Sequence, residues 1–163
     1  MIVLGIDPGS AHIGWARLCI GGDPVHGMTA THQASGDFEP AHLDSFAPKL
    51  FEDVDVVALE DIAGFAFGKG KGPGVVGHLI AAGKLGERIA TIAKSVHGKR
   101  VERMTAGQAR KLIVGRNNPD NATIKVVVTR LVRAWPTRSN NHRRDAAIVA
   151  VAVGWSKPLL RSA

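Results

Sequence analysis

A single cysteine, Cys19, occurs in 163 residues. That scarcity excludes an internal disulfide framework and any thiolate metal cage. Its apolar surroundings, residues 16–20, suggest an inert core thiol in a reducing compartment. Long hydrophobic runs are also lacking, since no segment approaches the ~18 apolar residues of a membrane span. The N-terminus is a short apolar stretch, Ile2 to Ile6, ended by Asp7. It has neither the basic start nor the longer apolar body of a secretory signal. A soluble, cytoplasmic protein with no membrane partner is therefore expected. Acids are in short supply as well: 14 Asp and Glu face 21 Lys and Arg, a net charge of +7. Such an excess does not choose a fold, but it points towards a polyanionic partner.

What is present suits one domain over residues 1–163. Apolar residues make up 45% of the chain, enough for a substantial core, and 19 glycines imply many tight turns or close backbone approaches. Residues 2–7 read as a buried central strand entering the Pro8-Gly9-Ser10 turn. Residues 13–20 read as a second strand ended by Gly21-Gly22-Asp23-Pro24, and residues 25–33 as a third, which together suggest an antiparallel meander. Helical spacing follows over residues 40–51, where Leu43, Phe46, Ala47 and Leu50 share a face. A buried-strand run, residues 54–59, delivers Glu60 and Asp61 at its carboxyl end. The glycine-rich stretch 64–74 holds neither helix nor strand. A long helix over 75–96 places Val75, Leu79, Ala82, Leu85, Gly86, Ile89 and Ala93 on one side. Then come a strand at 99–104, a helix at 105–114 closed by Gly115, a helix at 122–135 capped by Asn121 and ended by Pro136, and a last helix at 142–155. The order indicates α/β with a mixed sheet of about five strands flanked by helices.

Acids placed directly after apolar runs carry the chemical information. If the strands ending at Asp7 and Glu60 are central and parallel, both carboxylates lie at one sheet edge, where open α/β sheets place ligands. Asp145 opens the apolar run 146–153, and His142, three residues earlier, shares its helical face. Clustered acids raise one another's pKa, and a hard divalent cation with oxygen ligands relieves that repulsion. Each residue alone has a plainer reading: a turn acceptor for Asp7, a solvated strand end for Glu60, a helix start for His142 and Asp145. The four together favour a metal site.

Ile6-Asp7-Pro8-Gly9-Ser10 with Gly14 resembles the opening signature of RuvC-type Holliday junction resolvases. Ala58-Leu59-Glu60 resembles their second motif, and His142-Arg143-Arg144-Asp145-Ala146-Ala147 their last, in matching order along nearly the whole chain. The resemblance implies a ribonuclease H-like fold and a homodimer that cuts four-way DNA junctions with two metal ions. Those would be Mg²⁺, with Mn²⁺ able to substitute, and the products would be nicks bearing 5′ phosphates. Asp7, Glu60, His142 and Asp145 fall on the family's metal-binding positions. There are departures: Asn121 stands where the family often has a lysine, with Lys125 one turn later on the same face. Ala63 stands where an aromatic is common, with Phe65 and Phe67 close by.

Further DNA contacts are expected from Phe65, Phe67, Lys69 and Lys71, whose aromatics suit stacking on splayed bases while the lysines meet phosphates. Arg110, Lys125, Arg138, Arg143 and Arg144 complete the expected basic surface. The 75–96 helix, with small Gly83 and Gly86, is the candidate dimer contact, and a core role for the same face is as compatible with its pattern. Two other functions remain open: a YqgF-type ribonuclease H-like nuclease acting on structured RNA, and a non-catalytic junction-binding module. The opening motif also occurs in actin-like ATPases and sugar kinases, but those need a duplicated domain and a longer chain.

Overall fold

The computed structural model describes residues 1–23, 27–62 and 73–160. The expected contacts Phe65, Phe67, Lys69 and Lys71 lie outside the described residues. Among the described residues no helix is long and apolar enough to cross a membrane.

Strand β1 (Ile2–Pro8) has Val3, Leu4 and Ile6 fully buried, as its unbroken apolar run requires of a central strand. It pairs antiparallel with β2 (Ile13–Asp23), which pairs antiparallel with β3 (Gly27–Phe38). The expected meander is therefore present. On its other side β1 pairs parallel with β4 (Val56–Glu60), and β4 pairs parallel with β5 (Arg100–Met104). The two-residue β6 (Val132–Arg133) adds to β3, giving six strands in the order β5-β4-β1-β2-β3-β6. The sheet thus has one short edge strand more than expected.

One face packs against α1 (Leu43–Phe51) and α2 (Pro73–Thr91), through a core that includes Leu4, Ile6, Leu43, Phe51, Leu59 and Ile89. The other packs against α3 (Ala106–Val114), α4 (Asn121–Leu131) and α5 (Asn141–Leu160), around Val3, Leu18, Ile124, Val128 and Ile148. Residues 146–153 of α5 are buried all round, which explains why this run carries no amphipathic period. The helix lies close on the sheet: a Cβ at Gly5 would fall 1.9 Å from the Ala146 carbonyl oxygen, and one at Gly14 would fall 2.5 Å from the His142 Cβ.

Several local expectations need correction. Cys19 is exposed, on the opposite face of β2 from the buried Leu18 and Ile20. Phe46 is also exposed, stacked on Phe38 with ring centroids 4.7 Å apart. Asp120, rather than Asn121, caps α4: its carboxylate accepts from the Thr123 amide at 2.7 Å. The helix stops at Leu131 because Val132 and Arg133 pair with Ala30 and Thr31, and Ala134 then turns with φ 59°. On α2, Ala82, Gly86 and Ile89 face the core, whereas Val75 and Ile80 are exposed. Gly86 faces the ring of Pro8 in its own chain. The expected closure of α3 is present, with Gly115 at φ 83° donating to the Lys111 carbonyl.

Candidate functional site

Parallel pairing of β1 and β4 sets Ile6 beside Leu59, so the residues that follow, Asp7 and Glu60, emerge at the same edge of the sheet. Both side chains are buried. That burial does not fit the plain reading of Glu60 as a solvated strand end. The first turn of α5 crosses above this edge. It is admitted there by Gly14, which pairs with Asp7 and leaves no room for a side chain beneath His142. His142 Nδ1 donates to an Asp7 carboxylate oxygen at 2.7 Å. Asp145, one turn along, accepts from Arg110 of α3 at 2.8 Å. The four residues singled out by the motifs are thus brought to one place by β1, β4 and α5.

The electrostatics are those of a crowded acid cluster. Burial pushes the Glu60 carboxyl up to about 8, and the charges of Asp7 and Asp145 add to the effect against the opposition of Arg110 and His142. Burial also raises Asp145, with the Arg110 hydrogen bond pulling the other way. His142 is raised above its ordinary value, chiefly by its hydrogen bond to Asp7. Among the described residues no three acid, histidine or cysteine side chains are gathered as a ready ligand group. In this arrangement His142 is instead hydrogen-bonded to Asp7, and Arg110 is ion-paired with Asp145. The donor set nevertheless fits divalent cations, because three oxygen donors and an imidazole share a site whose negative charge lacks full compensation.

The expected basic contacts divide into two groups. Lys125 and Arg138 are exposed. Arg110 is bonded into the acid cluster, and its Nε is buried without a partner among the described residues. Arg143 is ion-paired with Asp37 of β3, its Nε 2.6 Å from the carboxylate. Arg144 is buried; it donates to the Ser139 carbonyl at 2.6 Å and to the Asn141 side chain, holding the turn before α5.

Two residues escaped the sequence reading, Asp37 and Asn140, because neither adjoins a motif. The placement of Arg110 did have a signal. It shares a helical face with the buried Ala106 and Ala109 and the half-buried Ile113, an unusual address for a cation unless an acid awaits it.

No family model matches the chain. A curated relative, the crossover junction endodeoxyribonuclease RuvC of Caulobacter vibrioides, is 29% identical over 93% of this chain and 86% of its own length. Among solved structures, RuvC of Thermus thermophilus in complex with a Holliday junction substrate aligns with a TM-score of 0.74 at 17% identity. Another structure of T. thermophilus RuvC aligns with a TM-score of 0.69 at 16% identity. Both alignments cover 98% of this chain and 96% of the other. The expected ribonuclease H-like fold is thereby present. In sequence and in fold, the chain is similar to the RuvC-type crossover junction endodeoxyribonucleases that its three motifs resemble.

Proposed function

We propose that this protein is a structure-selective endodeoxyribonuclease that resolves four-way DNA junctions by metal-dependent phosphodiester hydrolysis. The observation that carries the reading is the convergence of the buried Asp7 and Glu60 and the half-buried Asp145 at one edge of the sheet, where burial first and the neighbouring acids second push the Glu60 carboxyl up to about 8. The full-length similarity to RuvC supplies the substrate class.

Two divalent cations would be held by Asp7, Glu60, His142 and Asp145, with Asp7 the candidate to serve both, Glu60 one and His142 with Asp145 the other. Bound Mg²⁺, or Mn²⁺ in its place, would supply a lowered pKa for an attacking water and stabilisation of the leaving 3′ oxygen, with 5′-phosphate nicks as the products. The chain's own residues prepare for this. Asp7 and Glu60 are fixed by adjacent parallel strands, so their separation does not depend on a loop. As a ligand His142 would have to be neutral, so it would shed the extra proton that its hydrogen bond to Asp7 favours. Arg110 stays beside Asp145 and partly neutralises it when the site is not filled. Lys125 and Arg138 are exposed, where they would meet phosphates, while Phe65, Phe67, Lys69 and Lys71 are assigned to base and backbone contacts from sequence. A homodimer places two such sites for symmetric nicks, with the exposed Val75 and Ile80 of α2 at the contact.

Cleavage of an immobile four-way junction, a linear duplex of the same sequence and a structured RNA, each in Mg²⁺ and in EDTA, tests the proposal. Paired nicks in the junction alone, and only with Mg²⁺, support it. Cleavage confined to RNA would replace it with the structured-RNA reading, and metal-independent binding without cutting would leave a junction-binding module.

A further inference from the structure

Asp7, Gly14 and Asp37 form a single row across the sheet, since Asp7 pairs with Gly14 between β1 and β2 and Gly14 pairs with Asp37 between β2 and β3. The first turn of α5 lies over this row and is fastened at both ends. At one end His142 bonds Asp7 at 2.7 Å. At the other, the Asp37 carboxylate accepts from Arg143 Nε at 2.6 Å and from Asn140 Nδ2 at 3.2 Å. Asn140 in turn caps the helix by accepting from the Arg143 amide at 3.0 Å. Between the two fastenings Gly14 touches His142, so the helix rests on bare backbone. The Asp37 and Arg143 side chains are both mostly shielded from water, at 25% and 30% exposure, a setting where a charged bond holds its geometry better than on an open surface.

Resting on the nuclease reading above, we propose that Asp37 is a positioning residue for the metal site. Its carboxylate, through Arg143 and Asn140, fixes the height and rotation of the first turn of α5, and thereby where His142 and Asp145 stand relative to Asp7 and Glu60. Arg143 then serves the site from behind rather than as a DNA contact. Partners that orient ligands in this way change metal affinity by about 10–100-fold when removed.

The competing explanations separate by sign. Asp37→Ala removes a negative charge and Arg143→Ala a positive one. Acting only as distant charges, the first weakens cation binding and the second strengthens it. Acting as a clamp, both weaken it. The experiment measures Mn²⁺ affinity by titration without DNA and, separately, junction affinity in EDTA, for the wild type, both variants and Asp37→Asn. The milder Asp37→Asn keeps an acceptor for Arg143 and serves if the alanine variants unfold.

The expected result is about a tenfold loss of Mn²⁺ affinity in both alanine variants, a smaller loss in Asp37→Asn, and junction affinity within a few-fold of wild type. Tighter Mn²⁺ binding by Arg143→Ala, or unchanged binding by Asp37→Ala and Asp37→Asn, overturns the inference. So does a loss of junction affinity in Arg143→Ala with Mn²⁺ binding intact. These outcomes leave the nuclease reading standing. Failure of the wild type itself to bind Mn²⁺ would remove that reading and this inference with it.

Discussion

Glu60 shows how a single residue here trades stability for function. Its folded-state carboxyl is held near 8, far above the ordinary 4.5, first by burial and then by Asp7 and Asp145. Below 4.5 the group is protonated in both folded and unfolded chains and contributes nothing to the pH dependence. As pH rises from 4.5 towards 8 the unfolded chain sheds this proton while the folded chain retains it, so folding loses stability. His142 acts in the same direction, because its raised pKa confers stability at low pH that disappears as pH climbs through it. In EDTA the melting temperature should therefore fall between about pH 5 and pH 8. Glu60→Gln, which is neutral at every pH and nearly the same shape, should melt at least 2–4 °C higher than wild type at pH 8 and show a flatter profile, while losing cleavage. Thermal unfolding of both proteins in EDTA across that range checks it. A variant melting lower than wild type at pH 8 would show that the Glu60 charge is well accommodated without metal.

At the scale of elements, the close seat of α5 on β1 and β2 is what assembles the site. A Cβ at Gly14 would meet the His142 Cβ at 2.5 Å and its carbonyl carbon at 2.6 Å, so Gly14→Ala must lift the first turn of α5. Overpacking of this kind costs about 1–3 kcal/mol. Gly83 of α2 is the natural contrast, because a Cβ there meets nothing within 4 Å among the described residues. Gly83→Ala should raise stability by about 0.5–1 kcal/mol through helix propensity alone. Chemical denaturation of the two variants should give shifts of opposite sign. The elements were largely legible in sequence because β1, β4 and α5 are buried on all sides and announce themselves as unbroken apolar runs. The acids of the site were legible for the same reason: Asp7 and Glu60 close such a run and Asp145 opens one. Less could be read where tertiary pairing overrides local preference. Val132 and Arg133 leave a helical pattern for two ladder pairs with β3, and Cys19 faces outward from an apolar stretch because strand alternation turns it there. Asp37 and Arg143 were invisible as a pair because 106 residues separate them and only the sheet register brings them together.

For the whole molecule, the excess of seven positive charges bears on how strongly and how selectively DNA is held. Each lysine or arginine that meets a phosphate releases condensed counterions, so affinity falls steeply with salt. With six or more such contacts, junction affinity should drop by about 10³-fold between 50 and 200 mM salt. A nearly flat plot of log affinity against log salt would mean that the charge serves solubility. The measurement that bears most directly on the central claim is single-turnover cleavage of a labelled immobile four-way junction in Mg²⁺ by wild type and Asp7→Asn, with binding measured on the same preparations in EDTA. The wild type should nick the junction in symmetric pairs with 5′ phosphates, and Asp7→Asn should bind comparably yet leave it intact. Cleavage by Asp7→Asn at near the wild-type rate, or no Mg²⁺-dependent cleavage by the wild type, would contradict the assignment of this carboxylate cluster as a junction-cutting metal site.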